Sequence, residues 1–224
     1  MDTITIYHGS TNIVTPVFGE GKTYNDYGQG FYCTENLEMA KEWACSQDSY
    51  GYAHQYILNL EGLTILHLNE PQYNILNWLA ILLENRRFSV AEGLPYEAKQ
   101  YILDNFLPEY KSYDIIKGYR ADDSYFSYAR DFISNTLSLR DLKQAMMLGK
   151  LGEQVVLKSK RAFESITKGE IIPADRSEYF ARYCKRDRLA RENYKAITSH
   201  TFSSNEIYVI DLIRGGIKNG DPRL

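Results

Sequence analysis

TITIYHGS, residues 3–10, and DYGQGFYCT, residues 26–34, decide how this chain is read. The first alternates β-branched and apolar residues from Thr3 to Tyr7 and then meets His8-Gly9-Ser10, which predicts a short strand ending in a turn. The second predicts a strand from Gly30 to Thr34, fed by a tight loop. Residues 11–30 hold four glycines and one proline without helical period, so this segment reads as a loop that runs close to other parts of the chain. After it, TENLEMAKEWA starts with Thr34 as a capping residue and an acidic first turn, predicting a helix over 34–44.

Further along, residues 55–60 (QYILNL) and 64–68 (TILHL) are strand candidates. In 71–87, Ile75, Leu76, Leu79 and Leu82 fall on one helical face, and 95–106 repeats that pattern, so about 71–107 reads as a helical insertion. The β pattern returns at 113–117 (YDIIK), gives way to two helices in ADDSYFSYARDFI and SLRDLKQAMML, and returns again in 154–158 (QVVLK). From about 170 to 224 the chain reads as a helical extension, with a basic stretch over 182–195 and a capping box of Ser203 and Glu206. No linker divides the chain, so the expectation is one α+β domain spanning 1–224.

Composition excludes several classes. The net charge is −3, from 26 Lys and Arg against 29 Asp and Glu, which argues against a globally basic nucleic-acid coat. Cys33, Cys45 and Cys184 lie far apart with no CxxC pair, so no zinc ribbon or disulfide framework can be built, no metal is expected, and an odd count fits a reducing compartment. The start lacks the features of a signal peptide, and the longest apolar run, Trp78 to Leu83, is far short of the roughly 20 residues that span a bilayer. The expectation is a cytoplasmic protein without membrane contact. No phosphate-binding GxxxxGK[ST] loop occurs.

Each candidate residue has a plain alternative. His8 and Gly9 are equally at home in an ordinary turn. Either Asp122 or Asp123 serves a helix as N-cap, or Asp123 orients a ribose, a nucleophile or an arginine. Cys33 beside Tyr32, with His8 on the neighbouring strand, permits a thiol nucleophile, though no third orienting group accompanies them. The basic stretch 182–195 is either a solvated face or a docking surface for RNA, DNA or an acidic partner.

Taken in order, His8-Gly9-Ser10 and Gly28-Gln29-Gly30-Phe31-Tyr32 resemble the His-Tyr-Glu branch of the ADP-ribosyltransferases, which includes the poly(ADP-ribose) polymerases. That branch carries a second nicotinamide-stacking aromatic eleven residues after the tyrosine, and here that position is Trp43. Within the same clan, the chain is most similar to a bacterial family of uncharacterised proteins in which a YHGS start, a D-[FY]-G-x-GFY element, an ADD segment and a strand opening with Gln recur. The matching positions are Tyr7 to Ser10, Asp26 to Tyr32, Ala121 to Asp123 and Gln154 to Leu157.

The resemblance implies a split antiparallel sheet with flanking helices and NAD as substrate. It places the carboxamide on the Gly9 backbone, the nicotinamide ring between Tyr32 and Trp43, and a ribose hydroxyl on His8, with Ser10, Gly30 and Asp123 also contacting NAD. Gln154 takes the catalytic place with His8 and Tyr32, on a strand where the related enzymes have Glu, and Glu153 falls on the opposite strand face. Ala40 stands where the polymerases have a serine that reaches the carboxamide. The implied activity is mono-ADP-ribosyl transfer to a macromolecule, protein or nucleic acid, by an intracellular toxin with a cognate antitoxin or by a phage-defence factor. The alternatives are NAD glycohydrolysis and a catalytically silent NAD or ADP-ribose binding module, which the neutral Gln154 favours.

Overall fold

Strand β1 runs Thr3–Ser10, past the expected end at Tyr7, so His8, Gly9 and Ser10 are strand residues rather than turn residues. The reason is a long partner: β3 (Gly51–Asn59) pairs with β1 antiparallel over its length, from Thr3 opposite Asn59 to Ser10 opposite Tyr52. The computed structural model describes residues 2–120, 123–146, 152–198 and 206–224. It is an α+β architecture built on two sheets.

The first sheet has the order β1-β3-β7, with β7 at Ile166–Ala174. β7 corrects the expectation of a helical extension from about 170, because residues 170–174 are strand. It is an edge strand, exposed over Thr167 to Glu170, and an edge tolerates the Gly169 and Pro173 that weaken its sequence signal. The second sheet has the order β2-β6-β5-β4, from β2 (Phe31–Cys33), β6 (Glu153–Leu157), β5 (Ile115–Tyr119) and β4 (Ile65–His67). Its pairings are antiparallel except β4 with β5, which is parallel and departs from the wholly antiparallel core expected. The sheets meet where Tyr7 and Thr34 exchange two backbone hydrogen bonds of 2.7 and 2.9 Å.

Alternation across the second sheet sorts its residues onto two cores. Phe31, Cys33, Ile115, Val155 and Leu157 pack with Ile6, Tyr56 and Leu58 of the first sheet. Val156, Ile116 and Leu66 instead face a larger core of helices. At its centre α2 (Ile75–Asn85) is buried at every position from Ile75 to Leu83, so the helical pair read as an insertion contributes the most enclosed helix among the described residues. Around it stand α3 (Leu94–Phe106), α4 (Asp123–Ile133), α5 (Leu139–Met146) and α8 (Val209–Arg214).

Local signals explain the boundaries. Helix α1 is Leu37–Ala44, and its cap is Asn36, whose side chain accepts from the Met39 N–H. Thr34 is not the cap, because its backbone is taken by the bridge to Tyr7. Asn74 caps α2. The Ser203 of the expected Ser203–Glu206 capping box lies outside the described residues; Glu206 pairs with Arg140, and α8 starts where the Asp211 carboxylate accepts from the Tyr208 N–H at 2.9 Å. A short α6 (Lys160–Glu164) follows β6, and the long α7 (Arg176–Thr198) contains the basic stretch. There Arg182 pairs with Glu38, Arg186 with Glu42 and Arg191 with Asp187, so these charges largely fasten α7 to α1 and to itself. Among the described residues no helix is long and apolar enough to cross a membrane.

Candidate functional site

Beside the junction of the two sheets lies a cleft of about 460 Å3. His8 and Gly9 of β1, Gly30 and Tyr32 of the glycine loop and β2, Trp43 of α1 and Gln154 of β6 all line it, so three separate sequence motifs converge on one space. Ser10 lies outside this lining, with its hydroxyl accepting from the Asn12 N–H. Asp123 begins α4, but its side chain, like all of Asp122, falls outside what is described.

The walls are held by specific contacts. His8 Nδ1 lies 2.7 Å from the carbonyl oxygen of Tyr32, so this nitrogen carries the proton and donates. Burial lowers the His8 pKa, against the Tyr32 carbonyl, which raises it, and with His54 lowering it further. A neutral ring donating through Nδ1 leaves Nε2 as the acceptor nitrogen, suited to a hydroxyl. At Gly9 a Cβ would stand 2.1 Å from the Ala40 carbonyl oxygen, so only glycine lets α1 approach β1 this closely. That approach brings Trp43 to the cleft. One Trp43 face carries the Arg120 guanidinium, centred 3.8 Å from the ring centroid, and the indole N–H is buried with no hydrogen-bond partner among the described residues.

The glycine loop is tied down from below. Tyr32 donates its hydroxyl to the Gly28 carbonyl at 2.6 Å and accepts from the Tyr27 N–H at 3.1 Å. Burial, with the Asp26 carboxylate nearby, pushes the Tyr32 phenol far up, so it stays protonated and keeps donating. Lys158, just after β6, donates to the carbonyls of Tyr27 and Gln29, and burial pulls its pKa down to about 8. Gly28 has φ of +73° and sits so close to Asn85 that a Cβ would fall 2.6 Å from Oδ1. Gly118, opposite Gln154 in the sheet, leaves room for the Tyr27 phenol, which donates to the Tyr119 carbonyl and accepts from the Trp78 indole.

One part of the site goes beyond the sequence reading. Asp26 lines the cleft and is buried, with Oδ1 2.7 Å from the Arg86 guanidinium and Oδ2 accepting from Gln154 Nε2 at 3.0 Å. Arg86 follows α2, sixty residues away, and a contact between a loop and a distant helix end leaves no local pattern to read. Gln154 is on the cleft side, and its neighbour Glu153 points to the other face, where it meets His67 and Asn69. Cys33, by contrast, has no exposed surface, and burial pushes its thiol well above the ordinary value, so the thiol-nucleophile reading has no accessible thiolate. Among the described residues no group of three His, Cys, Asp or Glu is placed to hold a metal ion.

The family model described as "Protein of unknown function (DUF3990)" matches residues 4–167. The chain belongs to this family. Comparison with curated proteins and with solved structures finds no match. The matched span of this DUF3990 protein takes in every strand that lines the cleft, and α7 and α8 lie beyond it.

Proposed function

We propose that this DUF3990 protein is an NAD-consuming mono-ADP-ribosyltransferase with an ADP-ribosyltransferase-like fold. The observation that carries the reading is the convergence of His8-Gly9, Gly30-Phe31-Tyr32, Trp43 and Gln154 on one cleft, at the join of two sheets linked by Tyr7 and Thr34. These residues are far apart in sequence, and an ordinary turn histidine or core tyrosine would have no reason to share a wall with the others.

In this reading the positively charged nicotinamide ring rests on Tyr32, with Trp43 beside it, each contributing about 0.5–2 kcal/mol of stacking and cation–π attraction. The Gly9 backbone holds the carboxamide, and His8 Nε2 accepts from a ribose hydroxyl. Cleavage breaks the bond between C1′ and the ring nitrogen. The electron pair leaves with nicotinamide, which becomes neutral, and C1′ shares a positive charge with the ribose oxygen. Gln154 accepts from the ribose as that charge develops. A nucleophile of the acceptor then bonds to C1′ and gives its proton to water. With water as acceptor the same steps yield free ADP-ribose. The setting proposed is the cytoplasm of a bacterium, as a toxin restrained by an antitoxin or as a phage-defence factor.

Incubation with adenine-labelled NAD and a cell lysate tests the reading. Transfer predicts label in protein or nucleic acid together with released nicotinamide. Absence of both NAD binding and nicotinamide release refutes it. Two observations favour a silent binding module as second reading: Gln154 is neutral, and Arg120 already covers one face of Trp43. Tight NAD binding without nicotinamide release would select that reading.

A further inference from the structure

Building on the NAD reading, we propose that Asp26 is the charge-bearing positioning residue of this site, acting on the ribose through the Gln154 amide. The reaction develops positive charge at C1′, and Gln154, on the strand, brings none of the opposite sign. Asp26 is the carboxylate in contact with it: Oδ2 accepts from Gln154 Nε2 at 3.0 Å, Asp26 is only 4% exposed, and both residues line the cleft. A hydrogen bond to a carboxylate is stronger than a neutral one and fixes which end of the amide points where. With Nε2 committed to Asp26, Oε1 is the end that accepts from substrate, and the carboxylate behind it makes that oxygen more negative.

Arg86 sets the geometry. Its guanidinium lies 2.7 Å from Oδ1, which holds the carboxylate plane with Oδ2 turned to the amide. The chain thus divides one task between two elements: the glycine loop supplies the charge, and β6 supplies the contact. Nothing here adds or removes an electron. As the bond from C1′ to nitrogen breaks and its electron pair departs with nicotinamide, the Asp26–Gln154 unit opposes the charge left on the ribose.

An exchange of carboxylate and amide tests this, because Asp26→Asn and Gln154→Glu each keep side-chain shape. Nicotinamide release and NAD affinity by calorimetry are measured for wild type, both single variants and the double variant. Asp26→Asn should lower kcat about 100-fold while KM stays within about threefold. Adding Gln154→Glu to it should bring kcat back to within about tenfold of wild type, since one carboxylate and one amide again face each other. If Asp26 only anchored Arg86, Asp26→Asn would lower stability while leaving kcat near the wild-type value, and that result overturns the proposal.

Should Asp26→Asn fail to fold, Gln154→Glu alone still decides. It sets two carboxylates about 3 Å apart, which cannot both ionise freely, so its kcat should acquire a pH step above the ordinary carboxylate range that wild type lacks. A profile identical to wild type overturns the inference. Failure of wild type to bind NAD would instead defeat the functional reading itself. NAD bound and cleaved equally by all four proteins would spare that reading and defeat only the role of Asp26.

Discussion

The two faces of β6 handle carboxylates in opposite ways. On the cleft face Asp26 is buried between Arg86 and Gln154. On the other face Glu153, Glu35 and Glu38 line an open groove, pair with His67, Lys117 and Arg182, and remain partly exposed. Similar ion pairs therefore carry very different energies. Water screens the groove pairs to about 0–1 kcal/mol each. In the cleft the pair is largely shielded from water, so losing one partner costs more than it does in the groove.

That contrast gives the largest expected effect. Asp26→Ala should cost about 2–4 kcal/mol of unfolding free energy, because the charge-assisted contacts of its carboxylate to Arg86 and to the Gln154 amide are both removed from a buried position. Chemical denaturation measures it. A loss below about 1 kcal/mol would mean that the cleft is as wet as the groove, and the contrast would collapse.

A second substitution separates holding the loop from stacking the ligand. Tyr32→Phe keeps the ring but removes the hydroxyl that ties Gly28 and Tyr27, so stability should fall by about 1–2 kcal/mol with NAD affinity little changed. Tyr32→Ala should lose a further 1–3 kcal/mol of NAD binding, by rough estimate from ring burial and stacking. Equal NAD affinity for both variants, read by calorimetry, would remove the ring from the ligand site.

These effects bear on how legible the chain was. His8-Gly9 and Gly28 to Tyr32 could be read because glycines at strand ends mark close approaches, and Gly9 does admit α1 against β1. Strand alternation sets Glu153 and Gln154 on opposite faces of β6, and only the resemblance implies that Gln154 takes the pocket side. What escaped was long-range. Asp26 stands in the glycine-loop motif, and nothing local tells that a partner follows a helix sixty residues on. β7 escaped because an exposed edge with Gly169 and Pro173 lacks apolar alternation, and the pairing with β3 overrides that weak propensity. Asn36 and Thr34 are both local cap signals, and the choice falls to Asn36 only because the Tyr7 bridge claims the Thr34 backbone.

The third prediction concerns pH. Burial is the main cause that lowers both His8 and His54 below the ordinary 6.5. The unfolded chain therefore takes up protons first as pH falls. Stability contributed by the neutral imidazoles is complete above pH 6.5 and declines as pH drops below it. His8→Asn, which keeps a donor for the Tyr32 carbonyl, should flatten the thermal-stability profile between about pH 6.5 and 5. An unchanged profile would move the titrating group elsewhere.

The smallest expected effect lies across the strand. Glu153→Ala removes a half-exposed contact to His67 and Asn69, so unfolding free energy should change by less than about 1 kcal/mol. Nicotinamide release should not change at all, since the side chain faces the groove. One residue on, Gln154→Ala should keep NAD affinity within about 1 kcal/mol and depress turnover, because its contact tightens only as the glycosidic bond lengthens. The pair tests strand parity directly. If Glu153→Ala abolished release and Gln154→Ala did not, the reacting ribose would sit on the groove side of β6, and the cleft would lose its claim to the chemistry.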